Sequence, residues 1–124
     1  MNYTEKLVEI EKVINYLNEN NYNNSLANRI YYFCFQSMIL SLNDIYDEKE
    51  RYLKDGESTH KYTLEMYLKT RFVKPHEIKD KQNFYRRINQ VKKLRIKADY
   101  YKDSLSKDEA KDLMEIFLIL KKLM

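Results

Sequence analysis

The side chains best suited to chemistry in this chain are Arg95 and Asp99, which lie one helical turn apart. A helical wheel of the surrounding segment shows an apolar stripe made by Phe84, Ile88, Val91 and Ala98. Arg95 falls inside this stripe, at roughly 20° from Phe84. A guanidinium on an apolar helix face is costly unless it is paired or lines a cleft. The sequence therefore predicts either an ion pair or a binding site around Arg95.

Two interpretations of Arg95 follow from this position. In the first, Arg95 and Asp99 form a partly buried pair that ties their helix to its neighbours. In the second, Arg95 contacts a phosphate with two hydrogen bonds and Asp99 orients it. His60 and His76 are the only side chains expected to titrate near neutral pH. His60 could cap a helix, hydrogen-bond a neighbouring helix, or share one cleft with Arg95.

The charges are distributed unevenly along the chain. The net charge is +4, but residues 1–45 carry three Lys/Arg and five Asp/Glu, whereas residues 69–102 carry twelve Lys/Arg and three Asp/Glu. A basic surface of this kind suits RNA, a nucleotide or an acidic partner, although lysines also serve only to solubilise a helix. Tyr100 and Lys97 are candidate ligand-binding residues within this segment, with Tyr100 as a base-stacking or modified tyrosine.

Composition limits the class of protein. The 124 residues are the size of one domain, 1–124, and contain one Gly and one Pro, which argues against a turn-rich β fold. The single Cys34 excludes an internal disulfide and a cysteine zinc site, and favours a reducing compartment. No metal ligand set and no cofactor motif is apparent. There is no leader pattern and no apolar run of ~20 residues, so we expect a cytoplasmic protein with no membrane partner.

Apolar periodicity predicts five helices. The first follows a capping box at Asn2 and Glu5 and ends in the Asn-rich residues 18–24; the second is capped by Asn24 or Ser25. A charged loop over residues 47–58 precedes a short third helix that Thr59 can cap and whose end Pro75 marks. A long fourth helix covers about residues 80–103, and a capping box at Ser106 starts the fifth. The predicted fold is all-α: an antiparallel up-and-down bundle of four long helices plus one short helix.

The second helix has apolar or aromatic side chains nearly all round. Its core face reads Ala27, Tyr31, Cys34, Met38, Leu42 and Ile45, and its opposite face reads Arg29, Tyr32, Phe33, Gln36 and Leu40. Such a helix is normally covered on two sides. Either it lies centrally in the bundle, or its outer face meets a second copy, and the small number of helices favours some contribution from a homodimer. Arg29 is then either a surface charge or a phosphate ligand in the dimer cleft.

Three short segments carry a family resemblance. They are Ala27-Asn28-Arg29-Ile30-Tyr31-Tyr32, Thr59-His60-Lys61, and Arg95-Ile96-Lys97-Ala98-Asp99-Tyr100 followed by Ser106-Lys107-Asp108-Glu109-Ala110. Together, over about residues 23–122, they resemble the HEPN superfamily (higher eukaryotes and prokaryotes nucleotide-binding domain), in particular its small prokaryotic single-domain branch.

The resemblance implies a helical bundle that forms a homodimer, a link to RNA or nucleotides, a toxin–antitoxin or defence module, and a small nucleotidyltransferase as partner. Many members of the family are metal-independent ribonucleases with a His four to six residues after an Arg, for acid–base and electrostatic catalysis. Here no His follows Arg95 at that distance, and Asp99 stands there instead. Arg71 and His76 have the required spacing, but Pro75 puts them at a helix end.

The sequence therefore leads to three functional hypotheses. The first is a cytoplasmic HEPN-like homodimer that binds RNA or a nucleotide within a toxin–antitoxin or defence module. The second is a ribonuclease that uses Arg95 with His60, or Arg71 with His76. The third is a non-catalytic domain that pairs with a nucleotidyltransferase through the basic fourth helix.

Overall fold

The computed structural model of the chain describes residues 3–43 and 59–124. These residues form α1 (Tyr3–Glu19), α2 (Asn23–Asn43), α3 (Thr59–Arg71), α4 (Ile78–Tyr100) and α5 (Lys107–Leu123), with a 3-10 turn at Pro75–Glu77. The described residues contain no β-strand, so the predicted all-α fold of four long helices and a shorter one is confirmed. None of these helices is both long and apolar enough to cross a membrane.

The helix ends follow local sequence signals, with small shifts. Ser106 caps α5 as predicted: its Oγ accepts a hydrogen bond from the Glu109 amide at 3.1 Å, and its own amide donates to Glu109 Oε1 at 3.0 Å. α4 begins at Ile78 rather than near residue 80 because the 3-10 turn leads directly into it, and it ends at Tyr100 rather than near residue 103. The expected cap at Asn2, the core position Ile45, the loop at 47–58 and the side chain of Thr59 lie outside the described residues.

The Asn-rich turn between α1 and α2 closes without glycine. Asn21 has a φ of 61°, a left-handed conformation that asparagine tolerates better than most residues. The Tyr22 amide then donates to the Leu17 carbonyl at 2.9 Å, which satisfies a carbonyl of the last turn of α1. α2 starts at Asn23, earlier than the predicted cap at Asn24 or Ser25 implies. The Oδ1 of Asn24 instead accepts a hydrogen bond from the Leu105 amide at 2.9 Å. The start of α2 is thus fastened to the α4–α5 connection.

α2 lies at the centre of the bundle and contacts α1, α3, α4 and α5. Phe33, which the helical wheel placed on an outer face, is buried, and its ring meets the Phe117 ring of α5 edge-on at a centroid distance of 5.0 Å. Of the two alternatives for the face opposite the core stripe, central placement of α2 accounts for Phe33, because α5 covers this side chain. Central placement explains most of the apolar surface of α2, whereas Arg29 and Tyr32 remain exposed.

Candidate functional site

Tyr31 joins three helices at one point. It projects from α2, and its side chain is almost completely buried, with 3% of its surface exposed. Its hydroxyl lies 3.2 Å from Nδ1 of His60, in the first turn of α3. The guanidinium carbon of Arg95, on α4, lies 4.6 Å from the centroid of the Tyr31 ring. The phenol therefore connects the histidine and the arginine that the sequence singled out.

Arg95 is held by an aromatic ring and a distant carboxylate. Its side chain is 27% exposed, and Nε lies 3.6 Å from Oδ2 of Asp99, beyond good hydrogen-bond length. Nε itself is buried and has no hydrogen-bond acceptor among the described residues. The cation–π contact with Tyr31 supplies part of the missing stabilisation. Both features expected of Arg95, an apolar setting and a carboxylate one turn away, are present.

His60 has an environment that favours the neutral imidazole. Its ring lies 4.4 Å from the Phe35 ring, centroid to centroid, and meets the Tyr31 ring edge-on at 5.4 Å. His60 is an exposed residue, but partial burial of its ring lowers its pKa, and the positive charges of Arg95 and Lys92 lower it further. Burial raises the pKa of Tyr31, partly opposed by Arg95, so its hydroxyl stays protonated at neutral pH. The phenol can then donate to Nδ1 of the ring, which leaves the Nε2–H form of His60.

A cavity of about 290 Å³ opens between α3 and α4 beside this cluster. One end is aromatic, where Tyr31, Phe35 and His60 meet. The walls are lined by Lys61, Leu64 and Glu65 from α3 and by Tyr85, Ile88, Asn89 and Lys92 from α4. Flat rings, an amide, a carboxylate and ammonium groups in one concave space suit a small planar ligand that carries negative charge. Arg95 is not among the lining residues, so His60 and Arg95 meet through Tyr31 rather than in a shared cleft.

The other sequence candidates lie elsewhere. Arg29 lines a separate groove of about 360 Å³ between α1 and α2. Lys97 is paired with Glu109 at 2.8 Å, which joins α4 to α5, and this contact lowers the pKa of Glu109. Tyr100 is 78% exposed near the end of α4. The structure thus places Arg95 beside Asp99 and connects it to His60 through Tyr31, whereas Arg29, Lys97 and Tyr100 lie outside that cluster.

The second Arg–His pair lies at the end of α3, away from the Tyr31 cluster. Arg71 ends α3 and forms an ion pair with Glu77 at 2.8 Å. His76 lies in the exposed 3-10 turn. Pro75 begins that turn, as its fixed φ and missing amide hydrogen favour.

Sequence reasoning missed the side chains that complete the cavity. Tyr31 was assigned to the core face of α2, and neither its hydroxyl nor the Phe35 ring was connected to His60. Tyr85, Asn89 and Lys92 follow the i, i+4, i+7 spacing of one helical face, next to the apolar stripe. That spacing was the available signal, but it becomes a cavity wall only because α3 lies opposite.

No protein-family model matches the chain, and no curated protein or solved structure shows significant similarity to it. Within the described residues, no group of three or more His, Cys, Asp and Glu side chains could hold a metal ion.

Proposed function

We propose that this chain is an HEPN-like domain that binds RNA or a nucleotide in the cavity between α3 and α4. The observation that carries the proposal is the position of the His60 ring. It is held by the Tyr31 hydroxyl and lies against Phe35, at the end of a cavity whose α4 wall presents Tyr85 and Lys92.

Each class of side chain in the cavity matches a part of a nucleotide. Aromatic rings stack on bases of any sequence, and one stacked base contributes roughly 1–3 kcal/mol. Asn89 and Glu65 offer hydrogen-bonding groups for base edges or ribose hydroxyls. Lys92 supplies a positive charge for a phosphate, and Arg95 adds to the positive potential behind Tyr31. Residues 69–102, which include α4, carry more Lys and Arg than Asp and Glu. This positive charge supports an anionic ligand beside the α4 wall of the cavity.

Titration of a fluorescent single-stranded RNA, and separately of AMP, tests this proposal by anisotropy and calorimetry. We expect Lys92→Ala to weaken RNA binding and to reduce the salt dependence by about one released counterion. Tyr85→Ala should weaken binding with little change in salt dependence, because stacking is uncharged. Lys122→Ala, an exposed lysine on α5, is the matched control. Equal effects of Lys92→Ala and Lys122→Ala, or no binding at low salt, contradict the proposal.

A second candidate function, a metal-independent ribonuclease, is favoured by the neutral state of His60. In the other tautomer, Nδ1–H of His60 donates to the Tyr31 hydroxyl oxygen and Nε2 is free to accept the proton of a ribose 2′-hydroxyl. The positive charge of Arg95, which lies behind the Tyr31 ring and outside the cavity, can stabilise the developing phosphate charge at longer range. The test is RNA cleavage in the presence of a metal chelator. Cleavage lost in both His60→Gln and Arg95→Ala but retained in His76→Gln would select this enzyme over an Arg71–His76 site and over simple binding.

The proposal also covers the biological setting of the domain and its partners. A toxin–antitoxin or defence module in the cytoplasm, homodimer formation and a nucleotidyltransferase partner are all supported by the resemblance of the three segments. The alternative role, a non-catalytic domain that pairs with such a transferase, depends on the basic face of α4. A stable stoichiometric complex with an acidic partner, together with no affinity for RNA, would select that role.

A further inference from the structure

A second large groove, of about 480 Å³, lies between α4 and α5, away from the cavity proposed to bind RNA. Its apolar floor is formed by Leu94, Ile116 and Ile119. Its two rims carry opposite charges: the α4 rim is basic and the α5 rim is acidic. The charged lining residues are Arg87 and Lys93 on α4, and Asp112 and Glu115 on α5.

Few contacts within the described residues engage these four charges. Among the described residues none of them forms an ion pair with another side chain. Arg87 donates from Nη1 to Gln90 Oε1 at 3.1 Å, but its buried Nε has no acceptor in that part of the chain. An apolar floor flanked by uncommitted charges of both signs is the usual anatomy of an interface rather than of a small-ligand site.

The two rims are in register along the helices. α4 and α5 are antiparallel neighbours, because a short connection joins them and Lys97 pairs with Glu109 beside it. Lys93 lies four residues before Lys97, and Asp112 lies three residues after Glu109, so both are about one turn from that ion pair. Lys93 and Asp112 therefore stand at nearly the same height on opposite rims.

A surface of this kind is complementary to itself. A two-fold axis that runs along the groove exchanges left and right rims but keeps the height along the helices. It places the basic rim of one molecule on the acidic rim of another, with the two apolar floors face to face. α4 of one molecule then lies antiparallel to α5 of the other, as in helix bundles.

We propose that the α4–α5 groove docks a second copy of this chain, with Lys93 of each copy facing Asp112 of the other. The contact is symmetric, so the same ion pair forms twice. The proposal does not depend on RNA binding, because no residue of this groove lines the α3–α4 cavity. It also differs from the dimer expected on the outer face of α2, which would involve Arg29 and Tyr32.

Charge reversal tests the proposal on the whole chain. Sedimentation equilibrium over a range of protein concentrations should give twice the 15.2 kDa chain mass for the wild type. Lys93→Glu and Asp112→Lys should each raise the dimer dissociation constant at least about tenfold, because like charges then face each other twice. The double variant K93E/D112K should dimerise again. Circular dichroism checks that each variant keeps its helical content.

Mixing the two single variants distinguishes contacts between chains from contacts within one chain. In an equimolar mixture of K93E and D112K, Glu faces Lys at one contact and the native pair forms at the other, so a heterodimer should appear although neither variant dimerises alone. Lys12→Glu, on the exposed surface of α1, should leave the dimer unchanged. A monomeric wild type, a dimer that survives both single reversals, or a mixture that stays monomeric overturns the proposal.

Discussion

The guanidinium carbon of Arg95 lies 4.6 Å from the centroid of the Tyr31 ring, so an aromatic face covers the charge that the sequence places on an apolar stripe. The ion pair with Asp99 is long, at 3.6 Å, and its side chains are partly exposed. A partly exposed ion pair of this length contributes little, whereas a partly desolvated cation–π contact contributes roughly 0.5–2 kcal/mol. The ring, more than the carboxylate, is what permits an arginine at this position.

A double-mutant cycle on Tyr31→Leu and Arg95→Ala measures that contact. We expect a coupling free energy of about 1 kcal/mol in urea unfolding, since each single change removes the same ring–cation interaction. The control cycle pairs Tyr31→Leu with Lys122→Ala, because Lys122 is exposed on α5, away from the Tyr31 ring, and should not couple. Coupling near zero in the first cycle would show that Asp99, not Tyr31, stabilises the arginine.

The pH dependence of stability should report the state of His60. Partial burial and the charges of Arg95 and Lys92 lower the pKa of His60 in the folded protein below its value of about 6.5 in the unfolded chain. The unfolded state therefore binds the proton more tightly, and the free energy of unfolding should fall as the pH drops below about 6.5 and be fully present above it. His60→Gln should reduce this dependence in urea titrations at several pH values. His76→Gln serves as the control, and identical pH profiles for His60→Gln and the wild type would contradict the assignment.

Phe33 and Tyr32 are neighbours in sequence with opposite surroundings. Phe33 is buried against Phe117, so Phe33→Ala should cost about 3–5 kcal/mol of unfolding free energy. Tyr32 is 48% exposed, so Tyr32→Ala should cost well under half as much. Chemical denaturation of the two variants makes the comparison. Similar losses in both would place the outer side of α2 differently from the bundle described above.

The turn between α1 and α2 offers a matched pair at one position. Asn21 has a φ of 61°, which glycine adopts freely and alanine does not. Asn21→Ala should therefore lower the free energy of unfolding by roughly 1 kcal/mol, while Asn21→Gly should leave it nearly unchanged or raise it slightly. Thermal denaturation of both variants gives the test. A loss that is the same for alanine and glycine would point to the asparagine side chain instead of the backbone.

Local signals in the sequence predicted the helices well. The box at Ser106, the Asn-rich turn before α2 and the break at Pro75 each depend on a few adjacent residues, and each lies where it was expected. Arg95 and Asp99 were also identified correctly as neighbours, because both lie on one helix whose period fixes their relation.

Relations between helices were harder to predict. The sequence left open what covers the face of α2 that carries Phe33, because nothing in α2 itself reveals that α5 packs there. The hydrogen bond between the Tyr31 hydroxyl and His60 joins residues 29 positions apart. It depends on how the first turn of α3 packs against α2. The cavity wall of Tyr85, Asn89 and Lys92 has a recognisable spacing, but its function depends on the opposite wall. Apolar periodicity shows which face of a helix is buried, but it does not show which other helix covers that face.

The central position of α2 has a consequence for how the protein unfolds. Every other helix in the described residues packs on it, so a helix or helix pair that separates from the bundle loses its contacts with α2. Amide hydrogens in the middle of α2 should be the slowest to exchange with solvent, and they should exchange only when the entire chain unfolds. The bundle then behaves as one cooperative unit, and a protease that cuts within α2 would release no stable fragment.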